Sequence, residues 1–259
     1  MSQMDRRSFL INVAAGSAMA ASLDNDLKAG SAHPLSDGSP GVATGLAPAV
    51  FFPLPLGSIR PLGWLRRQLQ VQADGLTGHL DEFWPDVGRS KWFGGDAEGW
   101  ERAPYWLDGA IPLAWMLPDK SLQGRISKYI DYIITHQRPD GWYSPYPEDA
   151  VSKRYDLWAI LLANKVLVLY HNATGDERAL RSVQASLRAM LDGLDRTPLY
   201  DWGKYRWFEG LVSIFYVYER TGEPWLLELG RKLRAQGFDY QEFYRGDDVT
   251  VPTPRRGLW

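Results

Sequence analysis

The residues best suited to chemistry in this sequence are tryptophans that lie next to charged groups. The chain has 12 tryptophans in 259 residues, and one short segment combines Trp100, Glu101, Trp106 and Asp108. Aromatic rings pack against the apolar C–H faces of sugars, while carboxylates accept hydrogen bonds from sugar hydroxyls. We therefore predict that these four residues bind a sugar. The alternative is that each tryptophan fills a helical core and that Glu101 pairs with Arg102 at the surface.

Three further residues are candidates for sugar binding, and each also has a structural interpretation. Trp142 follows a Pro-Asp-Gly sequence that is typical of a plain turn. Asp156 lies next to aromatic residues, but aspartate is also favoured at the start of a helix. His79 lies in a turn that glycines bracket. Sequence spacing cannot place two of these carboxylates at a catalytic separation, so we assign them binding roles at most.

Other chemistries lack their usual patterns. The sequence has no phosphate-binding loop, no dinucleotide glycine fingerprint and no His-Glu-x-x-His motif. It has no cysteine, and its four histidines are scattered, so we expect no metal site built from this chain. The net charge is -2 and basic residues form no stripe, which argues against nucleic acid as a partner. A neutral glycan or small sugar is the expected partner.

The N-terminal region is predicted to be an export signal followed by a tether. Arg6 and Arg7 precede a weakly apolar run that ends in small residues, as in a twin-arginine signal over residues 1–21. The alternative is a basic start before an ordinary helix. The apolar run is shorter than the roughly 20 residues that a membrane span needs. Residues 22–49 are rich in Gly, Ser, Ala and Pro, so they predict a tether, and export predicts a periplasmic or extracellular location.

Residues 50–259 are predicted to form one all-α domain. Apolar residues recur at helical spacing in several stripes. The stripes are Leu62, Leu65 and Leu69; Leu122, Ile126, Tyr129, Ile130, Ile133 and Ile134; Leu157, Trp158, Leu161, Leu162 and Leu169; Leu180, Val183, Leu187, Leu191 and Leu194; and Trp207, Leu211, Ile214, Phe215 and Tyr218. Thr174-Gly175-Asp176 recurs as Thr221-Gly222-Glu223, which suggests repeated αα-hairpins whose helices end at glycine. Stacked hairpins form a solenoid or a closed ring, and the long aromatic loops between helices favour a ring around one opening.

Several motifs, in order along the chain, together resemble glycoside hydrolase family 127, the β-L-arabinofuranosidase-like enzymes. They are Pro53-Leu54-Pro55-Leu56-Gly57-Ser58-Ile59-Arg60-Pro61-Leu62-Gly63-Trp64-Leu65, Gly75-Leu76-Thr77-Gly78-His79, Trp100-Glu101-Arg102-Ala103-Pro104-Tyr105-Trp106-Leu107-Asp108-Gly109, Gln137-Arg138-Pro139-Asp140-Gly141-Trp142 and Tyr218-Glu219-Arg220-Thr221-Gly222-Glu223-Pro224-Trp225-Leu226. The resemblance implies an (α/α)6 barrel followed by β-rich domains. It also implies a retaining hydrolase that removes arabinofuranose or a related sugar.

In that family a glutamate acts as general acid/base and a zinc-held cysteine is thought to be the nucleophile, both in the second half of the barrel. Neither can be matched to a residue here. Family members continue into a His-Gly-Val-Asn type motif, whereas this sequence reads Thr253-Pro254-Arg255-Arg256-Gly257-Leu258-Trp259. We expect a partial toroid that stops before ring closure and is inactive alone. This chain then has no cofactor, and any zinc would belong to the full-length parent enzyme. A frameshift would explain the ending, and sequencing the locus tests this.

Two other functions stay open from the sequence alone. A secreted carbohydrate-binding or scaffold protein would bind glycan on the aromatic loops without cleaving it. Lyases and unsaturated glucuronyl hydrolases share the helical toroid but place their chemistry within single helices. The sequence does not predict the oligomeric state.

Overall fold

The computed structural model describes Leu46, Phe51, residues 53–143, Pro145 and residues 157–246. These residues all belong to one compact unit, Leu46–Trp259. The predicted signal at 1–21 and nearly all of the predicted tether at 22–49 lie outside the described residues. The structure is 71% helix, and its described part contains no strand, so the predicted all-α class is confirmed.

Eleven α-helices follow one another along the described residues. They are α1 (Gly63–Asp74), α2 (Leu76–Phe83), α3 (Pro85–Gly88), α4 (Arg102–Met116), α5 (Lys120–Thr135), α6 (Trp158–Thr174), α7 (Glu177–Gly193), α8 (Asp201–Tyr205), α9 (Gly210–Thr221), α10 (Pro224–Gln236) and α11 (Tyr240–Gly246). Short 3-10 helices occupy Lys91–Phe93 and Trp207–Glu209. No helix in the described ranges is both long and apolar enough to cross a membrane.

Three αα-hairpins build two layers of helices. The hairpins are α4 with α5, α6 with α7, and α9 with α10. The first helices of the hairpins pack side by side, α4 on α6 and α6 on α9, and form an inner layer. The second helices pack behind them as an outer layer, with α7 contacting both α5 and α10. This is the toroid-like arrangement of hairpins that the sequence predicts.

The central helix α6 is apolar around most of its circumference, as expected for a helix with neighbours on all sides. Ile160, Leu161 and Leu167 are fully or almost fully buried. The outer helix α7 has instead one apolar face, where Val183 and Leu187 are buried. The hydrophobic core therefore lies between the two layers, and its inner side is centred on α6.

The hairpin ends have the geometry that the repeat predicts. Gly175 and Gly222 follow α6 and α9 in the left-handed conformation, with φ of 72° and 68°. The carboxylate of Asp176 then accepts a hydrogen bond from the backbone N–H of Arg178 and caps α7. Pro224 takes the first position of α10, where a missing N–H costs nothing.

The first segment, α1 to α3, is fixed to the first hairpin by polar contacts. Arg125 on α5 donates to Asp81 (2.8 Å) and Glu82 (2.7 Å) of α2, and also to the carbonyl of Gly78. The hydroxyl of Tyr129 donates to the other oxygen of Asp81, 3.0 Å away. Helix α2 is thereby held at the side of the inner helix α4.

Antiparallel hairpins make successive inner helices parallel. The N-terminal ends of α4, α6 and α9 therefore lie at the same end of the molecule. The segments that precede α4 and α9 carry Trp100 and Trp202, so the fold brings these aromatic residues to the same end.

Candidate functional site

The aromatic segments meet around the buried ring of Trp158, at the start of α6. The centroid of this ring lies 5.3 Å from that of Trp100, 5.6 Å from that of Tyr105 and 5.7 Å from that of Trp202. We call this group the mouth cluster. Its members are Trp100, Glu101, Tyr105, Asp108, Trp158, Lys165, Trp202, Arg206 and Glu209.

Glu209 and Arg206 connect the rings of the mouth cluster. One carboxylate oxygen of Glu209 accepts from the guanidinium of Arg206 at 2.8 Å, and the other accepts from the indole N–H of Trp158 at 3.0 Å. The Arg206 guanidinium lies 5.2 Å from the ring centroid of Trp158 and 5.7 Å from that of Trp202. These cation–π contacts hold the Arg206 guanidinium against the rings of Trp158 and Trp202.

A second ion pair of the mouth cluster joins α4 and α6, about one helical turn after Tyr105 on α4. The ammonium of Lys165 on α6 donates to Asp108 on α4 at 2.8 Å. Both side chains are partly exposed, at 32% and 22%. The site therefore has two mutually neutralised charge pairs beside exposed aromatic surface, which suits a neutral, hydroxyl-rich ligand.

The surroundings of Glu101 in the mouth cluster change the pKa of its carboxyl group. Burial raises the pKa of its carboxyl group, and the nearby negative charge of Glu98 raises it further, while Arg102 and Arg206 act in the opposite direction. Burial also raises the pKa of the Tyr105 hydroxyl. Tyr105 is 40% exposed, so its neutral phenol is available to a ligand.

A cavity of about 460 Å³ lies beside the mouth cluster, between α2 and α4. Its walls are Leu76, Thr77, Leu80, Trp84, Glu101, Arg102, Tyr105, Trp106 and Gly109. Tyr105 and Glu101 belong to both the cavity and the mouth cluster. The two features are therefore adjacent parts of one candidate site.

Four of the predicted sugar-binding residues lie together in this region. Trp100 and Asp108 belong to the mouth cluster, Glu101 borders both features, and Trp106 lines the cavity. Trp106 is 5% exposed, so most of its ring belongs to the core, as the alternative interpretation supposed.

Of the other three predicted residues, His79 and Trp142 do not line the cavity, and Asp156 cannot be placed. His79 lies inside helix α2 and not in a turn, so the turn predicted from its flanking glycines is wrong. Its Nδ1 lies 2.8 Å from the carboxylate of Glu82 on the same helix. Trp142 packs against the core, and its backbone N–H donates to Asp140, which gives the plain turn that its sequence indicates. Asp156 lies outside the described residues. Binding roles for these residues stay predictions.

Sequence reasoning missed Trp202, Arg206 and Glu209. Their segment combines aromatic and charged residues just before an inner helix, as the segment around Trp100 does before α4. That shared position was the available signal. It could be used only once α4 and α9 were known to be equivalent helices of successive hairpins.

The described residues offer no place for a zinc ion. Among them, no three histidine, aspartate or glutamate side chains are close enough to hold a metal. The sequence also contains no cysteine. The residues present do not fit the zinc-held cysteine that the resemblance implies, so no step below is derived through zinc.

Comparison with known proteins gives one match. The family model described as the β-L-arabinofuranosidase, GH127 catalytic domain, matches residues 68–249, which is more than two thirds of the chain. The matched range contains every member of the mouth cluster. No curated protein and no solved structure matches the chain.

Proposed function

This chain belongs to glycoside hydrolase family 127, the β-L-arabinofuranosidase-like enzymes, and on that premise we propose that its mouth cluster binds a terminal arabinofuranose or a related neutral sugar. The chain is thus a glycoside hydrolase-like protein with a glycan partner. The sugar and its orientation in the mouth cluster are the parts that we propose.

One observation carries the proposal. Glu209 accepts hydrogen bonds from the Arg206 guanidinium and from the indole of the buried Trp158. These bonds fix Arg206 beside the half-buried ring of Trp202, 5.7 Å from its centroid, so a charged group and an aromatic face lie side by side. Such fixed groups lose little freedom when a sugar binds. The ring of a furanose can stack on Tyr105 or Trp202, while Glu101 and Asp108 accept hydrogen bonds from its hydroxyls.

We propose that these residues bind and orient the sugar and that the bond-breaking groups lie elsewhere. The resemblance assigns catalysis to a glutamate and a cysteine that match no residue here, and the chain has no cysteine. The isolated chain is then expected to bind a glycoside without hydrolysing it. A carbohydrate-binding protein without hydrolytic activity is the alternative that the same observation favours.

We also propose that residues 1–21 direct the folded chain across the cytoplasmic membrane. Arg6 and Arg7 before an apolar run support this. N-terminal sequencing of protein recovered from the periplasm is the check, since a start near residue 22 is expected and an uncleaved cytoplasmic chain contradicts the proposal.

Binding of methyl β-L-arabinofuranoside, measured by isothermal titration calorimetry, tests the mouth cluster. Trp202→Ala should weaken binding about fivefold or more, because a lost aromatic contact is worth roughly 1 kcal/mol. Trp225→Ala is the matched control, since Trp225 lies on the outer helix α10 and bonds Glu223 there.

The outcomes separate the parts of the proposal. Equal loss of binding in both variants, or no binding by the unchanged chain, would refute the mouth cluster as the sugar site. Release of 4-nitrophenol from 4-nitrophenyl β-L-arabinofuranoside by the isolated chain would instead show that the catalytic groups are present.

A further inference from the structure

We propose that the cavity between α2 and α4 binds an aromatic leaving group, so that the substrate is an aryl glycoside rather than a sugar linked only to other sugars. The inference rests on the proposed function, because it places the sugar itself in the mouth cluster. The sugar would bind in the mouth cluster, and the aromatic leaving group would bind in the cavity.

The walls of the cavity are mostly apolar. Leu76 and Leu80 of α2 and Trp84 just after it line one side, and Tyr105 and Trp106 of α4 line the other. A planar aromatic ring gains from such surroundings through burial and through ring contacts. Its unsubstituted edges also need no hydrogen-bond partners.

The polar groups of the cavity are too few for a second sugar. They are Thr77, Glu101, Arg102 and the hydroxyl of Tyr105 at the boundary with the mouth cluster. Arg102 already donates to Asp86 at 2.7 Å. A buried sugar carries several hydroxyls, each of which would need a partner to offset its loss of water. The apolar walls therefore favour an aromatic ring.

Two contacts hold the aromatic walls in place. The indole N–H of Trp106 donates to the carbonyl of Thr77 at 2.8 Å, which ties α4 to α2 at the cavity wall. At the rim, the Arg102 guanidinium lies 5.5 Å from the ring centroid of Trp84 while it pairs with Asp86. The cavity is thus formed before any ligand enters, as in most small-molecule sites.

Gly109 gives the cavity its room on the α4 side. Glycine in the interior of a helix lowers stability relative to alanine. A Cβ built on Gly109 would meet no atom within 4 Å, and its φ is not in the left-handed region, so neither packing nor backbone conformation requires glycine. Glycine at this position leaves cavity space that a side chain would fill.

The size and position of the cavity suit a leaving group. About 460 Å³ is within the range of small-molecule pockets and exceeds what one aromatic ring needs. Tyr105 and Glu101 form the boundary with the mouth cluster. A glycoside whose sugar contacts Trp202 and Arg206 would therefore direct its leaving group past Tyr105 into the cavity.

Binding to the full chain by calorimetry tests this with four ligands. They are methyl β-L-arabinofuranoside, 4-nitrophenyl β-L-arabinofuranoside, an arabinofuranose disaccharide and free 4-nitrophenol. We expect the aryl glycoside to bind at least about tenfold more tightly than the methyl glycoside, since burying a ring removes apolar surface from water. Gly109→Leu should reduce that ratio to below about threefold and leave binding of the methyl glycoside unchanged.

Gly124→Leu is the matched control for this substitution. Gly124 also lies inside a helix, α5, and a Cβ there would likewise meet nothing within 4 Å. Both variants should fold, because neither side chain is inserted into packed atoms. Only Gly109→Leu should lose the preference for the aryl glycoside.

Each outcome decides between the two proposals. An aryl preference that is absent, or that Gly109→Leu leaves intact, overturns the cavity assignment, as does a disaccharide that gains as much affinity as the aryl glycoside. If neither methyl nor aryl glycoside binds but 4-nitrophenol binds the unchanged chain and not Gly109→Leu, the cavity assignment stands and the sugar site fails. If nothing binds, both fail.

Discussion

Glu101 lies where the cavity meets the mouth cluster, and its environment controls its charge. Burial raises the pKa of its carboxyl group, and the charge of Glu98 adds to the effect. The folded chain therefore holds this proton more readily than the unfolded chain does. Its contribution to folding is fully present below the ordinary pKa of a glutamate and is lost as the pH rises through the raised value.

Replacing Glu101 should reduce the loss of stability that occurs as the pH rises from the ordinary pKa of a glutamate through the raised value. Glu101→Gln removes the group that loses stability in this window, so its free energy of unfolding should fall less than that of the wild type. Urea unfolding at several pH values measures the difference. Glu228→Gln, on the exposed side of α10, is the control and should follow the wild type. If Glu101→Gln also follows the wild type, the raised pKa does not exist.

The sequence predicted the site residues that are close together in the chain and missed those that meet only through tertiary packing. Trp100, Glu101 and Asp108 lie in one short segment, so their composition alone indicated a site. Glu209 bonds the nearby Arg206, but it joins the site through Trp158, 51 positions earlier in the chain. Pairing over that distance depends on how α6 packs against α9, which no local pattern reports.

At the scale of helices, the sequence predicted more, because caps and periodicity are local. The glycines at 175 and 222 end their helices as the repeat indicates. The outer helices α5 and α7 both start at an aspartate whose side chain caps them, Asp119 and Asp176. The inner helices α4 and α9 start at Glu101 and Glu209 without a side-chain cap among the described residues. Their starts carry residues of the candidate site instead.

The cap of α7 should therefore matter for stability more than an ordinary exposed carboxylate. Asp176 accepts from the backbone N–H of Arg178 and pairs with its side chain, and these contacts lower the pKa of Asp176. Asp176→Ala should cost about 1 kcal/mol at neutral pH. A lowered pKa means that the charge contribution is present above the ordinary value and is lost as the pH falls.

Thermal unfolding of three variants separates the cap from the charge. Asp176→Asn keeps a good cap without the charge, so it should cost less than Asp176→Ala and lose its deficit at acidic pH. Asp192→Ala, an exposed carboxylate of the same helix, should change stability by less than about 0.5 kcal/mol. Equal effects of Asp176→Ala and Asp192→Ala would mean that the cap contributes nothing.

At the scale of the molecule, the row of inner helices carries exposed apolar faces at both sides. On α1, Trp64 is 71% and Val71 66% exposed. On the last inner helix and the turn before it, Phe208, Val212 and Phe215 share one face and are 44%, 49% and 39% exposed. Contiguous apolar surface of this kind usually contacts another element or another molecule. A partial toroid has such faces where the next helices of the ring would pack.

The prediction of a partial toroid can be tested on the face of α9. Val212→Lys should lower the fluorescence of a bound hydrophobic dye and raise the monomer fraction in size-exclusion chromatography. It should shift the melting temperature only slightly, because a half-exposed valine contributes little burial. Glu228→Lys makes a larger change of charge on the exposed side of α10 and should alter neither dye binding nor the monomer fraction. A large drop in melting temperature for Val212→Lys would instead mean that this face of α9 is already covered by another part of the chain.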